Sequence, residues 1–293
     1  MPTPKNQLGV NWILVPIMAD KWVCLNGQLM PENQASIPIT DRGFLFGDGL
    51  FTTLRVEQGQ VEFWQSHLER LVHQCHQLRL VFPQLDFKWI EELIRLNLAH
   101  KGIWRLKMMI TGGDERYLSL PLRQSSIQLV TLQSYKLEPF TPCRLTLYPS
   151  PIVKPTAYLK SLSYLDRLYV YDYANLKGYD DAVVCNCEAY LLETAFSNLF
   201  WIKNCQLYIP DPSLSYLQGI FLTNLIKYLK FPIHFFKGGI EDIPNEATIF
   251  ISNSLNHLRP VTEIDHRIFS RHLDLEKQLQ EVIQLALSNN RYP

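Results

Sequence analysis

Leu50-Phe-Thr-Thr-Leu-Arg-Val56 alternates and is rich in β-formers, and Glu57-Gln-Gly-Gln60 turns the chain into Val61-Glu-Phe-Trp64. The pair reads as a β-hairpin, and it demands an antiparallel neighbour early in the chain. A helix begins directly after it, because Ser66-His67-Leu68-Glu69 has capping-box spacing and Leu68, Leu71, Cys75 and Leu78 follow at helical intervals. Lys21 to Met30 carries a second hairpin signal at Asn26-Gly27. Asp86 is positioned to cap a helix running to about Ala99, and residues 104–111 and 126–133 read as strands. Periodicity lapses over 134–140, which places a crossing between two units there. Beyond it, short strands at 143–148, 181–185, 198–202, 206–209 and 248–252 mix with helices near 165–177, 219–229 and 272–288. Helices and strands therefore occur without regular βαβ alternation, which indicates a mixed α+β fold rather than a doubly wound sheet. The expected organisation is an N-terminal extension over 1–20, a smaller α/β domain over 21–135 and a larger domain over 136–293.

The 28 basic and 28 acidic residues cancel, and no lysine or arginine tract marks a nucleic-acid or membrane surface. A small-molecule substrate is favoured over a polyanion. Trp12 to Met18 is too short to span a bilayer, and it lacks the flanks of a signal peptide. The six cysteines show no zinc or CxxC spacing, so no metal site is expected and a reduced, cytoplasmic protein is.

Several residues allow two readings each. Lys160, in TAYLKSLSYL, either lays its stem along apolar surface or is a desolvated amine able to form a Schiff base. Glu193, in LLETAFSNLFW, is buried by its neighbours and needs a partner: a protonated ring nitrogen, an arginine or a backbone donor. Gly219 opens an apolar helix whose free amides could hold a phosphate or simply begin a helix. Ser252-Asn253-Ser254 offers hydroxyls to a phosphate or to a turn, and Arg70 is by itself a solvated charge. Asp41 to Phe51, with three glycines, is a tight loop feeding a strand rather than a GxGxxG nucleotide fingerprint.

In order and at about the right spacing, DRGFLFGDGLF, HLERL, AYLKSLSYL, LLETAFSNLFWI, LQGI and ISNSLNHLRPV resemble the fold-type IV pyridoxal-phosphate enzymes, the class IV aminotransferase family. The resemblance covers roughly residues 21–290. It implies a two-domain fold whose larger C-terminal lobe has a β-barrel-like core, and a homodimer with the cofactor between the domains. It also implies roles: Lys160 carries pyridoxal phosphate and shuttles the substrate proton, while Glu193 pairs with the pyridine nitrogen. Arg70 would grip the phosphate, with the Ile220 and Phe221 amides behind Gly219 and the Ser254 hydroxyl. Tyr164 would meet the ring hydroxyl. The presence of both Lys160 and Glu193 argues for an enzyme over a purely structural or binding protein.

Within that family, Phe51-Thr52-Thr53-Leu54 resembles the segment of aminodeoxychorismate lyase, whereas branched-chain and D-amino-acid transaminases tend to carry a glutamate at the position of Thr52. Phe51 and Thr52 are thus expected at the substrate. The chain departs from the family at three places. Thr111-Gly112-Gly113 replaces Thr-Arg-Gly, leaving Arg116 as the candidate for a substrate carboxylate; Phe221-Leu222 replaces Thr-Arg, removing a phosphate hydroxyl; and Ser163 stands for an asparagine.

Overall fold

The computed structural model describes residues 21–114, 118–137 and 141–292. The expected extension over 1–20 and Arg116 lie outside the described residues. The first half contributes β1 (Trp22–Leu25), β2 (Gln28–Pro31), α1 (Arg42–Phe46), β3 (Gly49–Glu57), β4 (Gln60–Glu62), α2 (Trp64–Gln77), α3 (Phe87–Leu96), β5 (Ile103–Thr111) and β6 (Gln128–Ser134). The second half contributes β7 (Cys143–Leu147), α4 (Leu165–Leu176), β8 (Asp181–Cys185), β9 (Leu191–Thr194), β10 (Asn198–Lys203) and β11 (Gln206–Pro210). It continues with α5 (Ile220–Ile226), β12 (Ile233–Phe236), β13 (Thr248–Asn253), β14 (His257–Ile264), β15 (Arg267–Ile268), α6 (Leu273–Ser288) and β16 (Arg291–Tyr292).

The first sheet is antiparallel throughout, in the order β16-β4-β3-β5-β6-β1-β2. At its β1–β2 end, Asn26 and Gly27 take φ of 49° and 79°, the left-handed pair that a two-residue hairpin turn demands. The long β3–β5 pairing, from Gly49–Thr111 to Glu57–Ile103, is its spine. Helices α2 and α3 cover one face through Leu54, Leu71, Ile90, Leu93 and Leu106, all buried.

In the second sheet β10, β13, β14, β7, β8 and β9 pair in sequence, and β9 pairs back to β10 at Glu193–Asn198, so six strands close a ring. Alternation along those strands sorts their apolar side chains. Leu145, Val183, Leu191, Leu199, Ile249 and Val261 meet in one cluster inside the ring. Outside it, α5 and α6 pack on Phe200, Phe250 and Leu258, while α4 packs on Ala182, Val184 and Leu192. The architecture is the mixed α+β one expected, with the barrel-like core in the second half.

Local expectations fared unevenly. Asp86 caps α3, accepting from Lys88 N at 3.0 Å, but the helix ends at Leu96 rather than near Ala99. Ser66 does not cap α2. That helix starts two residues earlier, at Trp64, where Phe63 adopts φ 53° and makes no side-chain cap. Ser66 instead bonds Asn224 of α5, with Asn224 Nδ2 donating to its Oγ at 3.1 Å.

Candidate active site

A cavity of about 950 Å³ opens between the first sheet and the barrel. Lys160 reaches it because its own segment behaves as a short extra strand: Phe51 N donates to Lys160 O at 2.8 Å and Leu162 N to Gly49 O at 2.9 Å. That edge of β3 is free to pair there, since β4 pairs only with Val56 and Glu57. Gln74 of α2 clamps the same peptide from below, donating through Nε2 to Tyr158 O at 3.0 Å and accepting from Lys160 N at 3.2 Å. Both backbone polar groups of the lysine itself are thus held. Its Nζ lies 3.4 Å from the Tyr164 hydroxyl and 4.9 Å from the centre of the Phe51 ring. Burial, and then the nearby Arg70 charge, lower this amine from its ordinary 10.5 to about 7 against the pull of Glu193. Burial pushes the Tyr164 phenol the other way, above its ordinary value.

Glu193, on β9, is buried, and its Oε1 accepts from Arg167 Nη2 at 2.5 Å and from Leu217 N at 3.3 Å. Arg167 is held in turn by the Thr194 carbonyl at 3.2 Å. Two of the partners anticipated for a buried carboxylate are therefore present, and both use one oxygen; Oε2 has no hydrogen bond among the described residues. Burial raises the carboxyl pKa, and the Arg167 charge opposes that rise.

Arg70, on α2, lines the cavity and has no carboxylate within ion-pair distance among the described residues. It donates through Nη1 to Gln218 O at 3.3 Å and through Nη2 to Thr52 Oγ1 at 3.1 Å, and burial lowers its pKa to about 10. Thr52 Oγ1 accepts that bond and shares a second hydrogen bond with His67 Nδ1, 2.6 Å away. Burial, with the charges of Arg70 and Lys160, holds His67 well below 6.5 and hence neutral.

Gly219, Ile220, Phe221 and Ser254 also line the cavity. Gly219 caps α5 where only glycine fits, because a Cβ would collide with the side-chain oxygen of Asn198. That amide is fixed by its Nδ2 donating to Leu217 O at 2.8 Å. Ser254 sits in the β13–β14 turn, which Asn253 Oδ1 closes by accepting from Leu255 N at 3.0 Å and Asn256 N at 2.9 Å.

The structure thus brings Lys160, Arg70, Tyr164, Glu193, Gly219, Ile220, Phe221, Ser254 and Phe51 to one cavity. Thr52 corrects the sequence reading. Neighbours on a strand face opposite ways, so with Phe51 and Thr53 on the cavity wall Thr52 points behind it, to Arg70 and His67. Sequence reasoning missed Gln74, Arg167 and Lys107. Lys107 is paired with Thr53 across β3–β5 and lies 4.5 Å over the Phe51 ring. It lines the cavity with no acidic partner among the described residues, and burial lowers its pKa, helped by Arg105.

Chemically, the cavity holds a nucleophilic amine with a pKa of about 7, a buried carboxylate with one oxygen to spare, and a guanidinium that has no carboxylate partner among the described residues, bonded to the Thr52 hydroxyl and to the carbonyl just before Gly219. A second cation, Lys107, faces the same aromatic ring as the amine.

The family model for class IV amino-transferases matches residues 49–264. A putative branched-chain-amino-acid aminotransferase of Methanocaldococcus jannaschii is 26% identical, with 88% of this chain and 94% of that protein covered. The crystal structure of a putative 4-amino-4-deoxychorismate lyase of Legionella pneumophila superposes with a TM-score of 0.79 at 30% identity, covering 87% of this chain and 97% of that one. A branched-chain aminotransferase of Thermoproteus uzoniensis superposes with a TM-score of 0.82 at 20% identity, covering 92% and 95%.

Proposed function

Because the chain belongs to the class IV aminotransferase family, we propose that it is a pyridoxal-phosphate-dependent lyase converting 4-amino-4-deoxychorismate to para-aminobenzoate and pyruvate, a step of folate synthesis. The observation that carries this reading is Lys107. A cation without an acidic partner among the described residues stands 4.5 Å over the Phe51 ring, whose centre the Lys160 amine faces at 4.9 Å, so a substrate that carries carboxylates away from its reacting amine finds a counter-charge on the same wall. The 30% identity to a chain named as a putative lyase supports the same choice.

The residues fit the cofactor on their own geometry. Arg70, which has no acidic partner among the described residues, and the Ser254 hydroxyl would take the phosphate, with the backbone at Ile220 and Phe221. Glu193 would receive the ring N–H at its spare Oε2, while Arg167 pairs with its Oε1. Tyr164 would reach the ring hydroxyl. Pyridoxal phosphate, when bound, supplies an electron sink for the charge left as a C–H bond beside the amine breaks.

Lys160 Nζ, about half neutral near pH 7, is a nucleophile toward an aldehyde and a proton acceptor at the same atom. It takes the proton from the amine-bearing carbon. The C–O bond on the neighbouring carbon then breaks, and enolpyruvate departs as pyruvate while the ring aromatises. The two products contain every atom of the substrate, so neither water nor a keto acid is consumed. Phe51 and Tyr164, edge to face at 5.1 Å, form an aromatic wall beside the amine.

Purified protein loaded with pyridoxal phosphate and given 4-amino-4-deoxychorismate should release para-aminobenzoate and pyruvate with no keto acid added. Turnover of a branched-chain or D-amino acid, and only when a keto acid is supplied, would refute the lyase in favour of a transaminase.

We also propose a homodimer. Gly47 at the end of α1 packs on Ser163 just ahead of α4, and exposed Phe44, Leu45 and Phe46 on one side of that junction and Leu165, Leu168 and Tyr169 on the other offer a face for a second copy. A monomer by analytical ultracentrifugation at micromolar concentration would overturn it. All six cysteines are unpaired, which suits a cytoplasmic setting; among the described residues no helix is long and apolar enough to cross a membrane.

A further inference from the structure

Phe221 occupies the first turn of α5, where the family pattern has a hydroxyl. Its ring lies parallel to His257 within 8°, centroids 4.8 Å apart, and meets Phe63 edge-on at 6.2 Å. His257 opens β14 just past the Ser254 turn, with φ at 60° in the left-handed region. Its Nε2 donates to Glu62 Oε2 at 2.7 Å. Glu62 is itself fully buried on β4 and faces Arg55 at 3.6 Å and Arg291 at 3.1 Å through its other oxygen. Arg55 Nη1 donates to Leu255 O at 3.0 Å.

The Ser254 turn is therefore fastened to the first sheet twice, by its Leu255 carbonyl and by His257. Through the stacked rings the same imidazole is joined to α5, and through Phe63 to the start of α2, the helix that carries Arg70. Three separate elements supply the phosphate end of the cavity, and this small cluster touches all three. A hydroxyl on a hairpin tip holds an anion only as well as the tip is held.

We propose that Phe221 and His257, anchored by Glu62, act as a positioning unit that sets the phosphate end of the site, compensating for the missing hydroxyl by aligning Ser254 and the α5 backbone with Arg70. This rests on the pyridoxal-phosphate reading above. It differs from simple core filling in one respect: the unit acts on the phosphate and not on the ring or the Lys160 amine, which are held from β3, β9 and α2.

The test compares pyridoxal phosphate with pyridoxal, which lacks the phosphate, titrated into cofactor-free protein and followed by visible absorbance. His257→Ala is expected to weaken pyridoxal phosphate by about ten- to hundred-fold, as the loss of one charge-assisted bond and its alignment, with pyridoxal changed by less than about two-fold. Glu62→Gln leaves the rings in place and weakens the anchor at His257 together with the pairing to Arg55 and Arg291, which both keep Glu57, so it should fall between wild type and His257→Ala; it also serves should His257→Ala fail to fold. Equal weakening of both ligands, or an unchanged affinity for pyridoxal phosphate in both variants, would overturn the proposal while leaving the cofactor reading intact. Wild-type protein that takes up neither ligand would overturn both.

Discussion

Replacing Lys160 by methionine should make the cofactor-free protein more stable, and the gain should vanish with rising pH. Lysine ordinarily titrates near 10.5 and Lys160 at about 7. At about 1.36 kcal/mol per pH unit, that difference is a penalty of about 5 kcal/mol on the folded state. Water enters the cavity that Lys160 lines, so a realised penalty of about 2–3 kcal/mol is expected. The sign follows from proton counts. Between about 7 and 10.5 the folded chain holds fewer protons than the unfolded one, so wild-type stability rises with pH through that window. Below it the penalty is complete, and above it the penalty is gone.

Urea titrations of wild type and Lys160→Met should thus differ by about 2–3 kcal/mol at pH 7 and converge by about pH 10.5. Equal stability at pH 7, or a gap independent of pH, would refute the claim that this amine is depressed by its setting. The same setting governs reactivity. An ordinary lysine at pH 7 is neutral in roughly one molecule in three thousand, and Lys160 in about half, so capture of pyridoxal phosphate should speed up tenfold per pH unit up to about 7 and then level off.

Asp181, whose Oδ1 accepts from Ala182 N at 2.8 Å and Ala195 N at 3.1 Å, is raised by burial to about 6. The folded chain keeps this proton between 3.8 and about 6 where the unfolded chain loses it, so stability falls as pH rises through that window. Asp181→Asn, which keeps the acceptor, should remove the fall and gain about 2 kcal/mol at neutral pH by urea unfolding. Arg167→Met leaves Glu193 buried without its cation and should cost about 3–5 kcal/mol; adding Glu193→Gln should recover part of it, and a loss below about 1 kcal/mol would contradict the pairing. Gly219→Ala forces a methyl against the Asn198 amide and should cost about 1–3 kcal/mol by calorimetry, with Asn198→Ala relieving the clash.

What could be read from the chain was what local chemistry decides. Asn26-Gly27 made its turn and Asp86 its cap because each acts on backbone within three residues of itself. Ser66 had the same kind of credential and failed, because Asn224, 158 residues away, competes for its hydroxyl and Phe63 starts the helix earlier. Strand β16 is two residues long and exists only through its pairing with β4, so no local pattern could announce it. Arg167 looks like any arginine on an amphipathic helix until β9 is set against α4. Lys107 needed the β3–β5 register before it could be placed over Phe51. Thr52 is the instructive error: once Phe51 is given to the substrate, simple alternation assigns the same wall to Thr53 and withholds it from Thr52.

The strand-like seating of residues 160–162 on β3 also decides how far the protein can be taken apart. Severing the chain between β6 and β7 would send the reactive amine away with one fragment and the edge that seats it, together with Gln74, away with the other. Neither fragment would carry a trace of the activity. Fragments mixed back together should develop colour with pyridoxal phosphate only at the rate at which they reassociate, so the appearance of colour becomes a clock for the docking of the two halves.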